Sequence, residues 1–165
     1  MQFTLIDRIV ELEEDRRLAA VKVLSLAEDY LEYHFPRFPV MPGVLMLESL
    51  FQSCAWLLLK SGDFSRPLVT LEEARNIKYA GFVSPGEVLR VTVELKKRRE
   101  NGRVVLQTRG MIGEIVAVSG RLIVWERRLA EERPDGEIMD ARMRQTLQQQ
   151  FDLLYRPAGT TAVMT

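Results

Sequence analysis

Apolar and polar residues alternate through most of this chain, which is the pattern of strands with one buried face. Residues 3–12 and 18–26 alternate loosely on either side of an acidic turn at 13–15, and they predict a pair of strands. Further strand-like runs follow at 67–71, 77–82, from Val88 onward, 104–112 and 115–125. Asn101-Gly102 is a strong hairpin signal between two of them. The chain therefore offers about six strands, with a short helix predicted at 27–33.

One long segment departs from the alternation, because its apolar residues occupy every side of a helix. The helix is predicted over 43–60, just after Pro42, a residue suited to a first helical turn. Three prolines within 34–43 keep the preceding loop extended. A helix that is apolar all round is buried in a core. We therefore predict an α+β fold in which an antiparallel sheet of about six strands wraps round a central buried helix.

The pattern changes again after Trp125. Residues 126–136 are mostly charged, and apolar residues then recur at helical spacing, which predicts an amphipathic C-terminal helix over 137–154. Its polar face carries both charge signs, so a packing role is favoured over a membrane anchor. A frayed tail is expected from Arg156. We divide the chain into a domain at 1–127 and a C-terminal helical extension with its tail at 128–165.

Composition narrows the cellular setting. The 165 residues suit one domain with a tail, and 23 basic against 23 acidic residues give no reason to expect nucleic acid as a partner. The single cysteine, Cys54, excludes an intrachain disulfide, and no signal segment is evident. The apolar stretch at 44–59 is too short and too polar for a membrane span. We expect a soluble cytoplasmic protein, and with one histidine we expect no metal site.

Residues around the start of the predicted helix have the properties of an acid–base site. His34, the only histidine, lies in the proline-rich loop and can accept a proton near neutral pH. Glu48 is a lone carboxylate inside an apolar helix, where burial would raise its pKa and let it donate a proton. Gly43 and Val44 fall in the first turn, whose N–H groups lack intrahelical acceptors and can polarise a carbonyl oxygen. Plainer interpretations are a structural buried acid for Glu48 and a tight turn for Gly43.

The run from His34 to Glu48 resembles a known family signature. It reads His-Phe-Pro-Arg-Phe-Pro-Val-Met-Pro-Gly-Val-Leu-Met-Leu-Glu. The 3-hydroxyacyl-[acyl carrier protein] dehydratases of fatty acid synthesis carry His-Phe-x-x-x-Pro-x-x-Pro-Gly, with an acidic residue at the same distance from the histidine. Gln52 also matches a glutamine of that family. Weaker likeness covers about 5–125 and includes Ile77-Lys78-Tyr79-Ala80-Gly81, whereas the segment after Trp125 matches nothing in the family.

The resemblance implies a hot-dog fold and a homodimer whose active sites are shared between subunits, with a hexamer as a further level of assembly. His34 of one chain would take a proton from C2 of a 3-hydroxyacyl thioester, and Glu48 of the other would protonate the departing 3-hydroxyl. The Gly43 N–H would hold the thioester carbonyl, and Gln52 would orient Glu48. A phosphopantetheine arm on acyl carrier protein or coenzyme A would deliver the substrate, so no cofactor is implied.

Two departures from the family leave alternatives open. Arg37 stands where many members have glycine, and it could repel protons from His34, bind a phosphate or block the mouth of the site. Ala80 and Gly81 are small and neutral where many members with a glutamate acid have basic residues, so isomerisation after dehydration is also open. The rival functions are a hot-dog thioesterase and a non-catalytic hot-dog subunit that binds acyl chains or a partner enzyme. The intact pair of His34 and Glu48 favours the dehydratase.

Overall fold

Six antiparallel strands form one sheet that packs around a long helix. The computed structural model describes residues 3–35 and 37–155. The strands are β1 (Arg8–Glu13), β2 (Arg17–Val23), β3 (Leu68–Tyr79), β4 (Val88–Arg98), β5 (Arg103–Ile112) and β6 (Ile115–Arg127), and the helices are α1 (Gly43–Ser61) and α2 (Gly136–Leu154). The sheet order is β1-β2-β4-β5-β6-β3, and α1 packs against every strand from β2 to β6. The predicted fold class is confirmed.

The inner face of the sheet explains why α1 lies where it does. Along β4, Leu89, Val91 and Val93 are fully buried, whereas their neighbours Val88 and Arg90 are exposed. Side chains of a strand alternate between its two faces, so one face of β4 is apolar and points to the helix. Full burial of each such side chain contributes about 1.5–3 kcal/mol. The sheet and α1 therefore share one hydrophobic core.

The edge strand β3 departs from the predicted pattern. Two short runs at 67–71 and 77–82 were expected, and the prediction of separate strands is wrong, because Leu68–Tyr79 is one strand paired with β6. Its register shifts twice, and Asn76 at the second shift has a φ of 51°. The residues between the two runs are exposed on this edge of the sheet, so they need not alternate while the backbone stays paired.

The local elements near the N-terminus are shorter than predicted. The runs at 3–12 and 18–26 become β1 and β2, and the predicted helix at 27–33 is a single 3-10 turn at Asp29–Leu31. Element ends are weakly specified by sequence pattern, because a strand or helix frays over one or two residues at each end.

Helix α1 has two unlike halves. Its rear half, residues 53–61, is mostly buried beneath the sheet, as expected for a helix that is apolar all round. Its front half, residues 43–52, has an open face on which Val44 is 69% exposed and Leu47, Glu48 and Phe51 are half-buried. The expectation of burial on every side is therefore wrong for the front half of the single chain. By length and composition α1 could cross a membrane, but its packing against the sheet is that of a core helix.

Helix α2 packs against the rear half of α1. The ring of Phe151 lies 6.1 Å from that of Trp56 and 5.8 Å from that of Phe64, between ring centroids. At the start of α2, Asp140 accepts hydrogen bonds from the Leu129 and Ala130 N–H groups at 2.9 and 3.1 Å. The predicted amphipathic helix is confirmed. The division at residue 127 stays a prediction, and Pro36 and the tail from Arg156 lie outside the described residues.

Candidate active site

The loop before α1 holds His34 in a constrained position. Phe35, the next residue, has a φ of 52°, in the left-handed region that costs a non-glycine residue about 1–3 kcal/mol. The Phe35 carbonyl accepts a hydrogen bond from the Phe38 N–H at 2.7 Å, which closes a turn. The rings of His34 and Phe35 stack at an angle, with centroids 4.5 Å apart. Strain of this kind is typical of functional sites, where the surroundings force a residue into an uncommon conformation.

His34 borders a mainly apolar cavity of about 400 Å³. The cavity lies between the His34 loop, the start of α1, and the end of β3 with the residues that follow it. Its apolar and aromatic wall consists of Phe35, Val40, Met41, Met46, Tyr79 and Phe82. This volume is within the range of about 300–1,000 Å³ that small-molecule sites occupy. The cavity therefore suits a ligand that is largely apolar and meets one titratable side chain.

The first turn of α1 brings Gly43 into the same cavity as His34. The Leu45 and Met46 N–H groups donate to the Pro42 carbonyl at 2.9 and 3.1 Å. The N–H groups of Gly43 and Val44 come before them, where helix geometry offers no intrahelical acceptor. A Cβ on Gly43 would lie 3.2 Å from the Tyr79 ring, so glycine permits this close approach. The predicted carbonyl-binding role thus has an N–H donor beside His34, although the role itself stays a prediction.

Glu48 has a hydrogen-bonding partner one turn farther along α1. The Gln52 Nε2 donates to Glu48 Oε1 at 2.9 Å and to the Phe3 carbonyl at 3.1 Å. The Gln52 Oε1 accepts a hydrogen bond from the Leu5 N–H at 2.9 Å. An N–H can pair only with the oxygen end of the amide, so the Leu5 contact turns the NH₂ end of Gln52 towards Glu48. The predicted contact between Gln52 and Glu48 is present.

Within one chain, His34 and Glu48 do not share a cavity. Glu48 is absent from the described residues that line the His34 cavity, and it lies on the open face of the front half with Val44 and Leu47. These residues are three and four positions apart and so project from the same side of the helix. The deep burial expected for Glu48 is wrong in the single chain, because the sheet covers the opposite side of α1.

The remaining sequence candidates fall into three groups. Ala80 and Gly81 line the cavity, whereas Arg37 is exposed and is not among the described lining residues. Cys54 is fully buried, and burial raises the pKa of its thiol, so it is a core residue as predicted. Among residues 3–35 and 37–155, no group of three or more His, Cys, Asp and Glu side chains is arranged to hold a metal ion.

Several site residues were not predicted. Tyr79 and Phe82 form one wall of the cavity, and the Phe82 ring meets Phe38 edge-on at 5.7 Å. Tyr79 stands in a run that resembles the family, so a signal existed, but nothing in the sequence placed it against Gly43. The contact of Leu5 with Gln52 uses a backbone N–H, which every residue except proline carries, and it leaves no signal in the sequence.

The six-stranded antiparallel sheet around a central helix is a hot-dog fold. A family model described as a FabA-like domain matches residues 1–123. The 3-hydroxyacyl-[acyl-carrier-protein] dehydratase FabZ of Pediococcus pentosaceus is 39% identical over 108 residues, which cover 66% of this chain and 72% of that protein. FabZ of Geobacillus thermodenitrificans is 37% identical over 124 residues, covering 73% and 79%. The chain belongs to the 3-hydroxyacyl-[acyl-carrier-protein] dehydratase family.

Solved structures agree with the fold. The dehydratase heterocomplex ApeI:P from Xenorhabdus doucetiae has a TM-score of 0.62 to this chain at 15% identity, covering 82% of this chain and 88% of that one. At this identity the likeness concerns the fold alone. The matched family model ends at residue 123, whereas α2 begins at Gly136. Helix α2 therefore lies outside the residues that the family model matches.

Proposed function

We propose that this protein dehydrates 3-hydroxyacyl thioesters to trans-2-enoyl thioesters in acyl-chain biosynthesis, with His34 as the base and Glu48 as the acid. As a member of its family it is a hydro-lyase of fatty acid biosynthesis. The observation that supports the roles of His34 and Gly43 is the single cavity that both residues line, with Gly43 as the first residue of α1. That arrangement offers a base and a carbonyl-binding donor to the same small ligand.

Each step of the reaction has a residue suited to it. The thioester carbonyl accepts a hydrogen bond from the Gly43 N–H, and the positive end of the helix dipole stabilises negative charge there. His34 removes a proton from C2, and the electron pair forms the C2=C3 double bond. The C3–O bond breaks as Glu48 gives its proton to the hydroxyl, which leaves as water. Transfer of the proton from His34 to Glu48 restores both groups for another cycle.

The active form is a homodimer in which His34 of one protomer works with Glu48 of the other. The open face of the front half of α1, where Glu48 lies, supports this arrangement, because a second chain can cover it. Exposed apolar side chains surround the cavity as well, including Val44, Phe38 and Phe82. The edge strand β3 carries unpaired backbone groups along its outer side, which favour pairing with another strand. A hexamer of three such dimers is an additional candidate.

The substrate arrives on a phosphopantetheine arm, and the protein works in the cytoplasm without a metal or redox cofactor. The relatives are named for acyl carrier protein, which makes that carrier the first candidate and coenzyme A the second. Water removal needs a base, an acid and a carbonyl-binding donor, and the residues assigned above supply all three. The location is supported by the packing of α1 inside the sheet.

Mass spectrometry of acyl thioesters incubated with the purified protein tests the reaction. A panel of 3-hydroxyacyl-carrier-protein and 3-hydroxyacyl-coenzyme A thioesters should lose one water in the wild type. The His34→Ala variant should show at least about 10³-fold less product, since general base catalysis contributes about 10²–10⁴-fold. Free acid in place of the enoyl thioester would identify a thioesterase. No reaction from a folded protein would favour a non-catalytic subunit.

Mixing two inactive variants tests the shared site. In a dimer of one His34→Ala chain and one Glu48→Gln chain, one site loses both residues and the other keeps both. Unfolding and refolding the variants together should therefore restore activity that neither variant has alone, at up to half the wild-type level per mixed dimer. The control is each variant refolded by itself. Absence of restored activity in verified mixed dimers would mean that each site uses one chain only.

A further inference from the structure

A second, smaller groove lies beside Gln52. Its volume is about 190 Å³, and it runs between the N-terminal residues, α1, the start of β3 and α2. The wall that α1 supplies comes from successive turns: Gln52, then Ala55, then Leu59. Phe3, Phe51 and Trp56 add aromatic surface. The groove is therefore mostly apolar and follows α1 away from its first turn.

The groove is linked through Gln52 to the acid of the proposed reaction. Gln52 belongs to its wall and donates a hydrogen bond to Glu48 at 2.9 Å. In the proposed chemistry, C1 and C2 of the substrate lie at Gly43 and His34 of one protomer, and C3 lies at Glu48 of the other. Carbons from C4 onward must then continue past Glu48. The apolar surface adjoining Glu48 through Gln52 is this groove.

Helix α2 lies at the far end of the groove. Phe151 contacts Trp56, and the Lys60 ammonium lies 5.9 Å from the Phe151 ring centroid, so α2 lies beside the last turns of α1. Leu147 is four residues before Phe151, on the same side of α2, and it lines the groove. The family model matches only residues 1–123. The wall that Leu147 supplies thus comes from outside the residues that the family model matches.

We propose that Leu147 on α2 forms the end wall of an acyl-binding groove and limits the acyl chain length that the enzyme accepts. This inference rests on the proposed function, because it takes Glu48 as the residue beside C3. The groove, at about 190 Å³, has less than half the volume of the His34 cavity, at about 400 Å³. It therefore holds an acyl chain of limited length, and longer chains meet Leu147.

Turnover measured across chain lengths tests the limit. With 3-hydroxyacyl thioesters of four to sixteen carbons, kcat/KM should rise by up to about fourfold per added methylene while the groove fills, and then fall. Leu147→Ala should move the maximum to longer chains, and Leu147→Trp to shorter ones. Leu153→Ala is the matched control, because Leu153 is on the same helix but 73% exposed. It should leave the profile unchanged. An unchanged profile in both Leu147 variants, with melting temperatures showing that they fold, would overturn the proposal.

A binding series separates this inference from the proposed function. In the His34→Ala background, 3-hydroxyacyl-pantetheine probes bind without turnover, and affinity is measured against chain length by calorimetry. The break in that series is the chain length at which affinity stops rising. With Leu147→Ala it should move in the same direction as the maximum of kcat/KM. If the break moves but the wild-type protein has no dehydratase activity, the groove is supported and the proposed reaction is overturned. A break that does not move would overturn the groove, whatever the wild-type activity.

Discussion

The two halves of helix α1 differ in what they contact, although they differ little in hydropathy. The rear half has Leu57 and Leu58 fully buried and is held by the sheet on one side and by Phe151 of α2 on another. The front half leaves Val44 exposed and Glu48 half-buried, and it borders the His34 cavity. One continuous helix thus combines a rear half packed in the core with a front half that borders the His34 cavity. The difference teaches that the residues that hold the helix in place are not those that border the cavity.

Among these substitutions, Glu48→Gln in the front half should have the largest effect on activity. It should leave the packing of the rear half unchanged. The substitution keeps the size of the side chain and an oxygen that Gln52 can contact, but it removes the acid. We expect kcat to fall by about 10³-fold with little change in KM, within the range of about 10²–10⁴ for general acid catalysis. Steady-state kinetics and a thermal melt measure this. A rise in KM at constant kcat would mean that Glu48 binds the substrate and does not act chemically.

Leu57→Ala is the corresponding test of the rear half. Leu57 is fully buried, and truncation should lower the free energy of unfolding by about 2–5 kcal/mol, because a cavity is left in the core. The kcat of the remaining folded enzyme should stay near the wild-type value. Denaturant unfolding followed by tryptophan fluorescence measures the loss, with Leu153→Ala as the control. A drop in kcat without a loss of stability would remove the distinction between the two halves.

Gln52→Met sharpens the comparison, because Gln52 lies where the halves meet. The variant cannot donate to Glu48, so we expect kcat to fall by about tenfold while KM stays constant. Unfolding free energy should fall by about 1 kcal/mol, since the Leu5 N–H loses its acceptor. A double-mutant cycle identifies the route: in the Glu48→Gln background, Gln52→Met should have no further effect on kcat. An additive effect would show that Gln52 acts independently of Glu48.

The smallest expected effect concerns a buried carboxyl at the end of the sheet near the rear half. Glu126 is buried beside Arg98, 2.5 Å from Oε2 to the nearest guanidinium nitrogen, and burial raises the pKa of Glu126 above its usual value. A carboxyl whose pKa is higher in the folded state than in the unfolded state stabilises the fold while it is protonated. This contribution is complete below the unfolded-state pKa, about 4.3, and it is lost as pH rises through the folded-state pKa.

The free energy of unfolding of the Glu126→Gln variant should therefore increase, relative to that of the wild type, as pH rises from about 4 to about 7. Chemical denaturation of both proteins across this pH range gives the comparison. The opposite slope would mean that the ion pair with Arg98 outweighs the burial of the carboxyl.

Local spacing in the sequence was enough to predict the loop, the helix and the two residues proposed for acid–base work. His34, Gly43 and Glu48 lie within fifteen residues, and proline and glycine restrict the backbone between them. The strands of the sheet could be predicted from the alternation of apolar and polar residues, except in β3. The middle of β3 is exposed, so its residues need not alternate. The open face of the front half could not be predicted from the apolar pattern, because an apolar residue that is exposed in the single chain looks the same in the sequence as one in a core.

The hydrogen bond between Leu5 and Gln52 joins residues 47 positions apart in the chain. Contacts between distant parts of a chain close a long loop and tend to form late in folding. The environment of Glu48 is therefore complete only after the first residues have docked against α1, which itself can form earlier. In refolding, recovery of enzymatic activity should lag behind the tryptophan fluorescence change, because turnover in the proposed dimer needs both this late contact and the association of two chains.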